Sequence, residues 1–88
     1  MKLQWTAKAW EQYLYWVESD KDVLKQINGL IKECKRTPFK GTGKPEGLKG
    51  PLRGWWSRRI TREHRLVYRV KGKDDEQYLE ISQCRFHY

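Results

Sequence analysis

Few side chains in this sequence could carry out acid–base chemistry on a polyanion. The stretch from Cys34 to Lys73 contains thirteen basic residues and two carboxylates, Glu46 in KPEGLKG and Glu63 in TREH. The chain has two histidines, His64 and His87, and the second lies in the last five residues, CRFHY. RNA cleavage needs a base for the 2′-hydroxyl, an acid for the leaving 5′-oxygen and cations for the phosphoryl charge. These groups are available here, although a loop glutamate is more commonly a solvated charge.

The basic residues are concentrated in one part of the chain. The formal charge of +8 divides into zero for residues 1–33, +11 for 34–73 and −3 for 74–88. A basic excess confined to one stretch that is also rich in Trp and Tyr favours a nucleic-acid partner. A solvated basic surface that serves solubility is the alternative. The sequence shows no metal-ligand spacing, no glycine-rich phosphate loop and no nucleophile motif, so we predict no cofactor.

Two further features indicate where the protein works. No apolar run approaches the roughly 20 residues of a membrane span, and MKLQW resembles no signal peptide. Cys34 and Cys84 are far apart and match no redox or metal spacing. We therefore predict a cytoplasmic protein with no membrane partner and with two reduced, packed thiols.

The hydrophobic pattern predicts a single α+β domain over residues 1–88. A short strand at Lys2 to Trp5 precedes two amphipathic helices, with Thr6 and Asp20 as N-caps. The first helix should bury Trp10, Tyr13, Leu14 and Val17, and the second Val23, Leu24, Ile27, Leu30, Ile31 and Cys34. Helices that precede consecutive strands predict an antiparallel sheet with the helical hairpin packed on one face.

A long loop and three strands follow the helices. The stretch TPFKGTGKPEGLKGPLRG contains all three prolines, and strands are predicted at 55–61, 64–70 and 78–86. The period of two in the middle strand separates an apolar face from a face with Arg65, Val67 and Arg69. The same alternation predicts that Phe86 packs inward and that Arg85 and His87 face the basic surface.

Four stretches together resemble the YoeB toxins of the RelE/ParE superfamily. They are MKLQWTAKAWEQYLYW, KRTPFKGTGKPEGLK, GWWSRRITREHRLVYRV and CRFHY, and they cover almost the whole chain. The resemblance implies a RelE-like fold and a metal-independent endoribonuclease that cuts messenger RNA in the A site of the 70S ribosome. It also implies a homodimer and a YefM-like antitoxin as partners. Gly47 stands where proline is usual in the family, which would loosen the loop.

The resemblance also assigns roles to individual residues. Glu46 would be the general base, His87 the general acid, and Arg65 would bind the scissile phosphate. Tyr88 would position the nucleotide. The predicted phosphate contacts are Lys49, Arg59, Arg58 and Arg69.

Other interpretations remain open at this point. The protein could be a non-catalytic module whose basic face holds RNA or an acidic protein tail. We interpret His64 as structural because it shares the apolar face of its strand, and Glu63 as a partner of a neighbouring arginine. Trp5, Trp10, Trp55 and Trp56 are predicted mainly as core or dimer contacts.

Overall fold

The computed structural model describes Met1–Tyr88 and has the predicted α+β architecture, with two helices and a five-stranded mixed sheet. The helices are α1 (Ala7–Ser19) and α2 (Lys21–Arg36). The strands are β1 (Lys2–Trp5), β2 (Glu46–Gly47), β3 (Trp56–Arg59), β4 (Arg65–Lys71) and β5 (Tyr78–Gln83). Two single-turn 3₁₀ helices lie at Gly50–Leu52 and Asp74–Glu76.

Both predicted caps start the helices. The Thr6 hydroxyl accepts the Ala9 N–H, and the Asp20 carboxylate accepts the first free N–H groups of α2, as side-chain caps do. Asp20 alone separates the helices, and the chain folds back there so that the two helices lie side by side. The Tyr13 hydroxyl donates to Asn28 Oδ1 at 2.8 Å and links the two helices.

The sheet order is β1-β5-β4-β3-β2, and every neighbouring pair is antiparallel except β1 with β5. The first strand therefore becomes an edge strand beside the last one. The helices cover one sheet face, and the core between them is formed mainly by aliphatic and aromatic residues: Ala9, Trp16, Ile27, Leu30, Ile31, Cys34, Ile60, Leu66, Tyr68, Leu79, Ile81 and Cys84. Neither helix is long and apolar enough to cross a lipid bilayer.

The predicted buried face of α1 is wrong for three of its four residues, although Tyr13 is partly buried against the core, and the predicted face of α2 is confirmed. Trp10, Leu14 and Val17 are exposed, with 45% of Trp10 accessible to solvent. The helix instead buries a line formed by Ala9, Gln12 and Trp16. The pattern misled because the line that faces the sheet contains a polar glutamine and a small alanine, while apolar residues occupy the outer surface.

The loop before β3 is more ordered than predicted. Glu46 pairs with Ser57 and Gly47 with Trp56 in a short antiparallel ladder. A Cβ atom at Gly47 would lie 3.5 Å from the Trp56 ring, which is an ordinary contact distance. The absence of proline at position 47 therefore does not leave the loop unpaired, contrary to the expectation from sequence.

Both cysteines are free and fully buried, as predicted. Burial raises the pKa of the Cys34 thiol above its ordinary value and raises that of Cys84 to about 12. Both side chains therefore remain neutral thiols at physiological pH, and they serve as packing groups.

Candidate active site

A pocket of about 260 Å³ lies on the sheet face that the helices leave bare. Its lining residues are Lys44, Glu46, Ser57, Arg59, Arg65, His87 and Tyr88. Five of the eight residues predicted from sequence therefore meet in one place. A sixth, Lys49, lines an adjoining groove that shares Glu46 and Tyr88 with the pocket.

Arg65 is the most firmly held cation in the pocket. Arg65 faces the bare side of the sheet, as the strand pattern predicted, but it is nearly buried there, with 9% of its surface exposed. One guanidinium nitrogen, Nη1, donates to the carbonyls of Thr61, Arg62 and His64 at 3.0–3.2 Å. No protein acceptor binds Nε or Nη2, so these nitrogens can donate to an anion from a fixed position.

The loop before β3 brings Lys44 and Glu46 to the same pocket. Gly43 has φ of +85°, and a Cβ atom there would lie 3.0 Å from the Arg59 carbonyl oxygen. This glycine lets the loop cross β3 closely, and its carbonyl accepts the Arg59 N–H at 2.7 Å. Lys44 follows with φ of +53°, a conformation that is uncommon outside glycine. Glu46 then lies opposite Ser57 in the ladder.

The predicted phosphate contact from Arg58 is wrong, because its side chain is fully buried beneath the loop. The guanidinium forms an ion pair with Glu33 at 2.8 Å and donates to the Tyr68 hydroxyl. It also donates to three loop carbonyls, those of Thr37, Lys40 and Thr42. Alternation along β3 explains the difference: Ser57 and Arg59 face the pocket, so Arg58 faces the core.

Glu33 completes this arrangement from α2. Its Oε1 accepts the Thr42 N–H as well as the Arg58 guanidinium. The Thr42 hydrogen bond and the neighbouring Arg58 lower the pKa of the Glu33 carboxyl below its ordinary value. The carboxylate therefore stays ionised, and both of its partners hold the loop against α2.

His87 and Tyr88 reach the pocket from a segment that is anchored just before them. The Trp16 indole N–H donates to the Cys84 carbonyl at 2.9 Å, and the Cys84 N–H donates to Gln12 Oε1 at 2.8 Å. The Tyr88 hydroxyl lies 3.2 Å from Ser57 Oγ. The His87 and Tyr88 rings are in contact, with centroids 4.7 Å apart, and both residues are exposed to solvent.

The alternation predicted for the last residues is wrong for Arg85 and Phe86, although His87 does line the basic pocket. Strand β5 ends at Gln83, and Phe86 has φ of +70°, so the chain turns before His87. Phe86 is exposed. Arg85 packs against α1 instead of the basic surface, with its guanidinium 3.5 Å from the centre of the Tyr15 ring.

Two other predicted contacts lie away from the pocket. Arg69 forms an ion pair with Glu80 at 2.7 Å and lies 4.1 Å from the Trp55 ring centre, so its charge is already engaged. Glu63 is exposed and forms no ion pair, so its predicted support of an arginine is also wrong.

Sequence reasoning missed two lining residues, Lys44 and Ser57. The strand period could have identified Ser57, because it lies two positions before Arg59 and therefore on the same face. Lys44 carried no comparable signal, since its position depends on the loop conformation. With three cations and one carboxylate beside an imidazole, the pocket can bind a phosphodiester between a proton acceptor and a proton donor.

Comparison with known proteins identifies the family. A family model of YoeB-like toxins of bacterial type II toxin-antitoxin systems matches residues 5–88. Toxin YoeB of Escherichia coli strain K12 is 59% identical over 88 residues, which is the whole of both chains. This chain belongs to the YoeB toxin family.

Solved structures agree with this assignment. A YoeB/ParE toxin from Agrobacterium tumefaciens is 57% identical over the full length of both chains and superposes with a TM-score of 0.96. A YoeB from Staphylococcus aureus, solved in a YoeB-YefM complex, is 42% identical with a TM-score of 0.87, and the match covers 100% of this chain and 98% of that one. The fold and family predicted from the sequence are thus confirmed.

Proposed function

We propose that this toxin is an endoribonuclease that cleaves messenger RNA in the A site of the bacterial ribosome and so stops translation in the cytoplasm. The observation that carries the proposal is that Glu46 and His87 line the same pocket as the fixed guanidinium of Arg65. A base, an acid and a phosphate ligand are thereby available to one phosphodiester. The chemistry proposed requires no metal ion.

Each group has a defined part in the proposed reaction. Glu46 accepts the proton of the ribose 2′-hydroxyl, and the 2′-oxygen attacks the adjacent phosphorus. The bond from phosphorus to the 5′-oxygen breaks as His87 donates a proton to that oxygen, which leaves a 2′,3′-cyclic phosphate and a 5′-hydroxyl. The free donors of Arg65 stabilise the charge on the phosphoryl oxygens.

The remaining lining residues hold the substrate. Arg59 and Lys44 supply positive charge at the pocket, and Lys49 extends it along the adjoining groove. Tyr88 offers an aromatic face on which a base can stack. Because these few groups leave most of the RNA unbound, we expect the ribosome to supply the remaining alignment of the messenger.

The proposed partners follow from the family. One S. aureus YoeB structure is a dimer and another contains YefM, so we propose a homodimer and a YefM-like antitoxin here. The exposed side chains of Trp10, Leu14 and Val17 on α1 form an apolar surface of the kind that a second subunit would cover. An acidic antitoxin segment would complement the charge of the pocket.

The decisive experiment measures cleavage on translating bacterial ribosomes. The purified chain is added to a translation reaction, and messenger 5′ ends are mapped. Cuts phased with the codons are expected, and Glu46→Ala and His87→Ala should each reduce the rate by about 10²–10⁴-fold. Glu63→Ala is the matched control, because it removes an exposed carboxylate outside the pocket and should cut at the normal rate.

Two results would contradict the proposal. Intact messenger with blocked translation would favour a non-catalytic binding module. Equal cutting rates on free and ribosome-bound RNA would remove the dependence on the ribosome. Melting temperatures of the variants should match that of the parent chain, because both substituted side chains are exposed.

A further inference from the structure

Phe86 is the turning point that directs the next two residues into the pocket. Its φ of +70° places a bulky residue in the left-handed region, which costs roughly 1–2 kcal/mol relative to ordinary conformations. Such a conformation persists only where neighbouring groups fix it. The contacts of the Phe86 backbone therefore decide where His87 and Tyr88 point.

Both polar groups of the Phe86 backbone are held from strand β4 or its preceding turn. The Arg65 N–H donates to the Phe86 carbonyl at 3.0 Å, and the Phe86 N–H donates to Nδ1 of His64 at 2.7 Å. Gln83 adds a side-chain donor to the same carbonyl. The N–H is therefore held by a single acceptor, the His64 imidazole.

The His64 contact selects the tautomer of its ring. Because Nδ1 accepts a backbone N–H, the ring proton must be on Nε2, and a doubly protonated ring could not make the bond. The ring is also in edge contact with Trp16, with centroids 4.8 Å apart. Packing thus sets the ring plane, and the free lone pair of Nδ1 points at the Phe86 N–H.

We propose that His64 is a positioning residue for the site: its Nδ1 holds Phe86 in the left-handed turn and thereby places His87 and Tyr88 in the pocket. The inference rests on the proposed ribonuclease function for its kinetic consequence. The ring is outside the pocket lining and does not touch the reacting atoms. His64 thus acts through the Phe86 backbone.

Two substitutions separate the acceptor from the ring. His64→Asn retains an acceptor oxygen near the position of Nδ1 but removes most of the ring contact with Trp16. His64→Phe retains an aromatic ring and removes the acceptor. If the hydrogen bond positions the segment, Phe should impair the enzyme more than Asn; if ring packing is the essential feature, the order should be reversed.

The kinetic measurement is the single-turnover cleavage rate on ribosomes that have been saturated with enzyme. Loss of a hydrogen bond of ordinary strength predicts a rate about tenfold lower for His64→Phe. His64→Asn should remain within about threefold of the parent rate, and ribosome affinity should be unchanged in both. The proposal would be overturned if all three proteins cleaved at the same rate, or if His64→Asn cleaved more slowly than His64→Phe.

A spectroscopic measurement on the unsubstituted chain tests the contact without using activity. NMR of ¹⁵N-labelled protein should show a proton on Nε2 of His64 and a scalar coupling across the hydrogen bond between Nδ1 and the Phe86 amide nitrogen. A proton on Nδ1 with no coupling would disprove the inference even if the enzyme cuts. If the coupling is observed but the parent chain does not cleave RNA, the ribonuclease proposal is rejected while the hydrogen bond between His64 and Phe86 is confirmed.

Discussion

The two segments that carry the candidate acid and base are held in different ways. The loop that leads to Glu46 is fastened mainly by one buried side chain, since the Arg58 guanidinium bonds to three loop carbonyls and to Glu33, which also accepts the Thr42 N–H of the loop. The segment that leads to His87 is held by separate hydrogen bonds to side chains on different elements. Gln12 and Trp16 contribute from α1, and His64 contributes from the turn before β4. The support of the Glu46 loop is concentrated in one side chain, and the support of the His87 segment is distributed over several. A single substitution should therefore lower the unfolding free energy more in the first support than in the second.

The largest effect is expected from removing the concentrated support. Arg58→Leu leaves three carbonyls and the Tyr68 hydroxyl without their donor, and it removes one of the two donors to the Glu33 carboxylate. Loss of the fully buried guanidinium should cost about 3–5 kcal/mol of unfolding free energy. For a domain of this size that lowers the melting temperature by at least about 12 °C, measured by circular dichroism.

The control for this substitution is its neighbour in the same strand. Arg59→Leu removes an exposed guanidinium of the same size and should change the unfolding free energy by less than about 0.5 kcal/mol. Similar losses at positions 58 and 59 would mean that the loop does not depend on the buried guanidinium.

Alkaline pH should lower the stability of the protein through a titratable group in each support, and the two declines should begin at different pH values. Burial raises the pKa of Cys84, in the distributed support, from 9.0 to about 12, and raises that of Tyr68, beside Arg58, from 10.0 to about 12. A raised pKa means that the unfolded chain loses its proton first, so stability is complete below the unfolded pKa and declines above it. The decline should begin near pH 9 for Cys84 and near pH 10 for Tyr68.

Melting temperatures between pH 8 and pH 11 test this order. The Cys84 thiol should contribute a loss of at most about 1.4 kcal/mol per pH unit. Cys84→Ser keeps a donor for the Ala9 carbonyl but does not titrate, so its curve should be flatter from pH 9. Tyr68→Phe should flatten the curve only from pH 10. Parallel curves for all three proteins would show that these groups do not control the alkaline transition.

The smallest effect is expected from removing one of the distributed bonds. Gln12→Met replaces a buried acceptor by an apolar side chain of similar size and leaves the Cys84 N–H unpaired. The cost should be about 1–3 kcal/mol, and hydrogen exchange at the Cys84 amide should accelerate correspondingly. Gln26→Met, on the exposed surface of α2, should leave this exchange unchanged. A loss as large as that of Arg58→Leu would contradict the distinction between the two supports.

Hydrophobic periodicity predicted the buried side of a helix correctly where only one side of that helix is apolar. Helix α2 has apolar residues only where it faces the sheet, so its buried side followed directly from the sequence. Helix α1 has apolar residues on its outer surface and Gln12 on its inner one. A hydrophobicity pattern cannot recognise Gln12 as a core residue, because what keeps it there is a hydrogen bond to a residue 72 positions away.

In the candidate site, too, the sequence predicted the residues that belong to motifs but not those whose position depends on tertiary contacts. Glu46, Arg65 and His87 were predicted together from motifs, and they line one pocket. Arg58 was misassigned because charge alone suggested a surface residue, whereas its ion pair with Glu33 and the loop carbonyls allow it to be buried. Lys44 was missed because its place depends on left-handed backbone in the loop, which spacing does not encode.

The parallel pairing of β1 with β5 also determines when the sheet can be completed during synthesis of the chain. Lys2 to Trp5 can complete their ladder only after Tyr78 to Ile81 have been synthesised, and the Trp16 indole must wait for Cys84. The two helices contain local contacts and can form early, but sheet closure joins the two ends of the sequence, which favours slow folding. His87 and Tyr88 follow the last strand, so a growing chain can complete the pocket only after β5 has been synthesised and its end has bound Trp16.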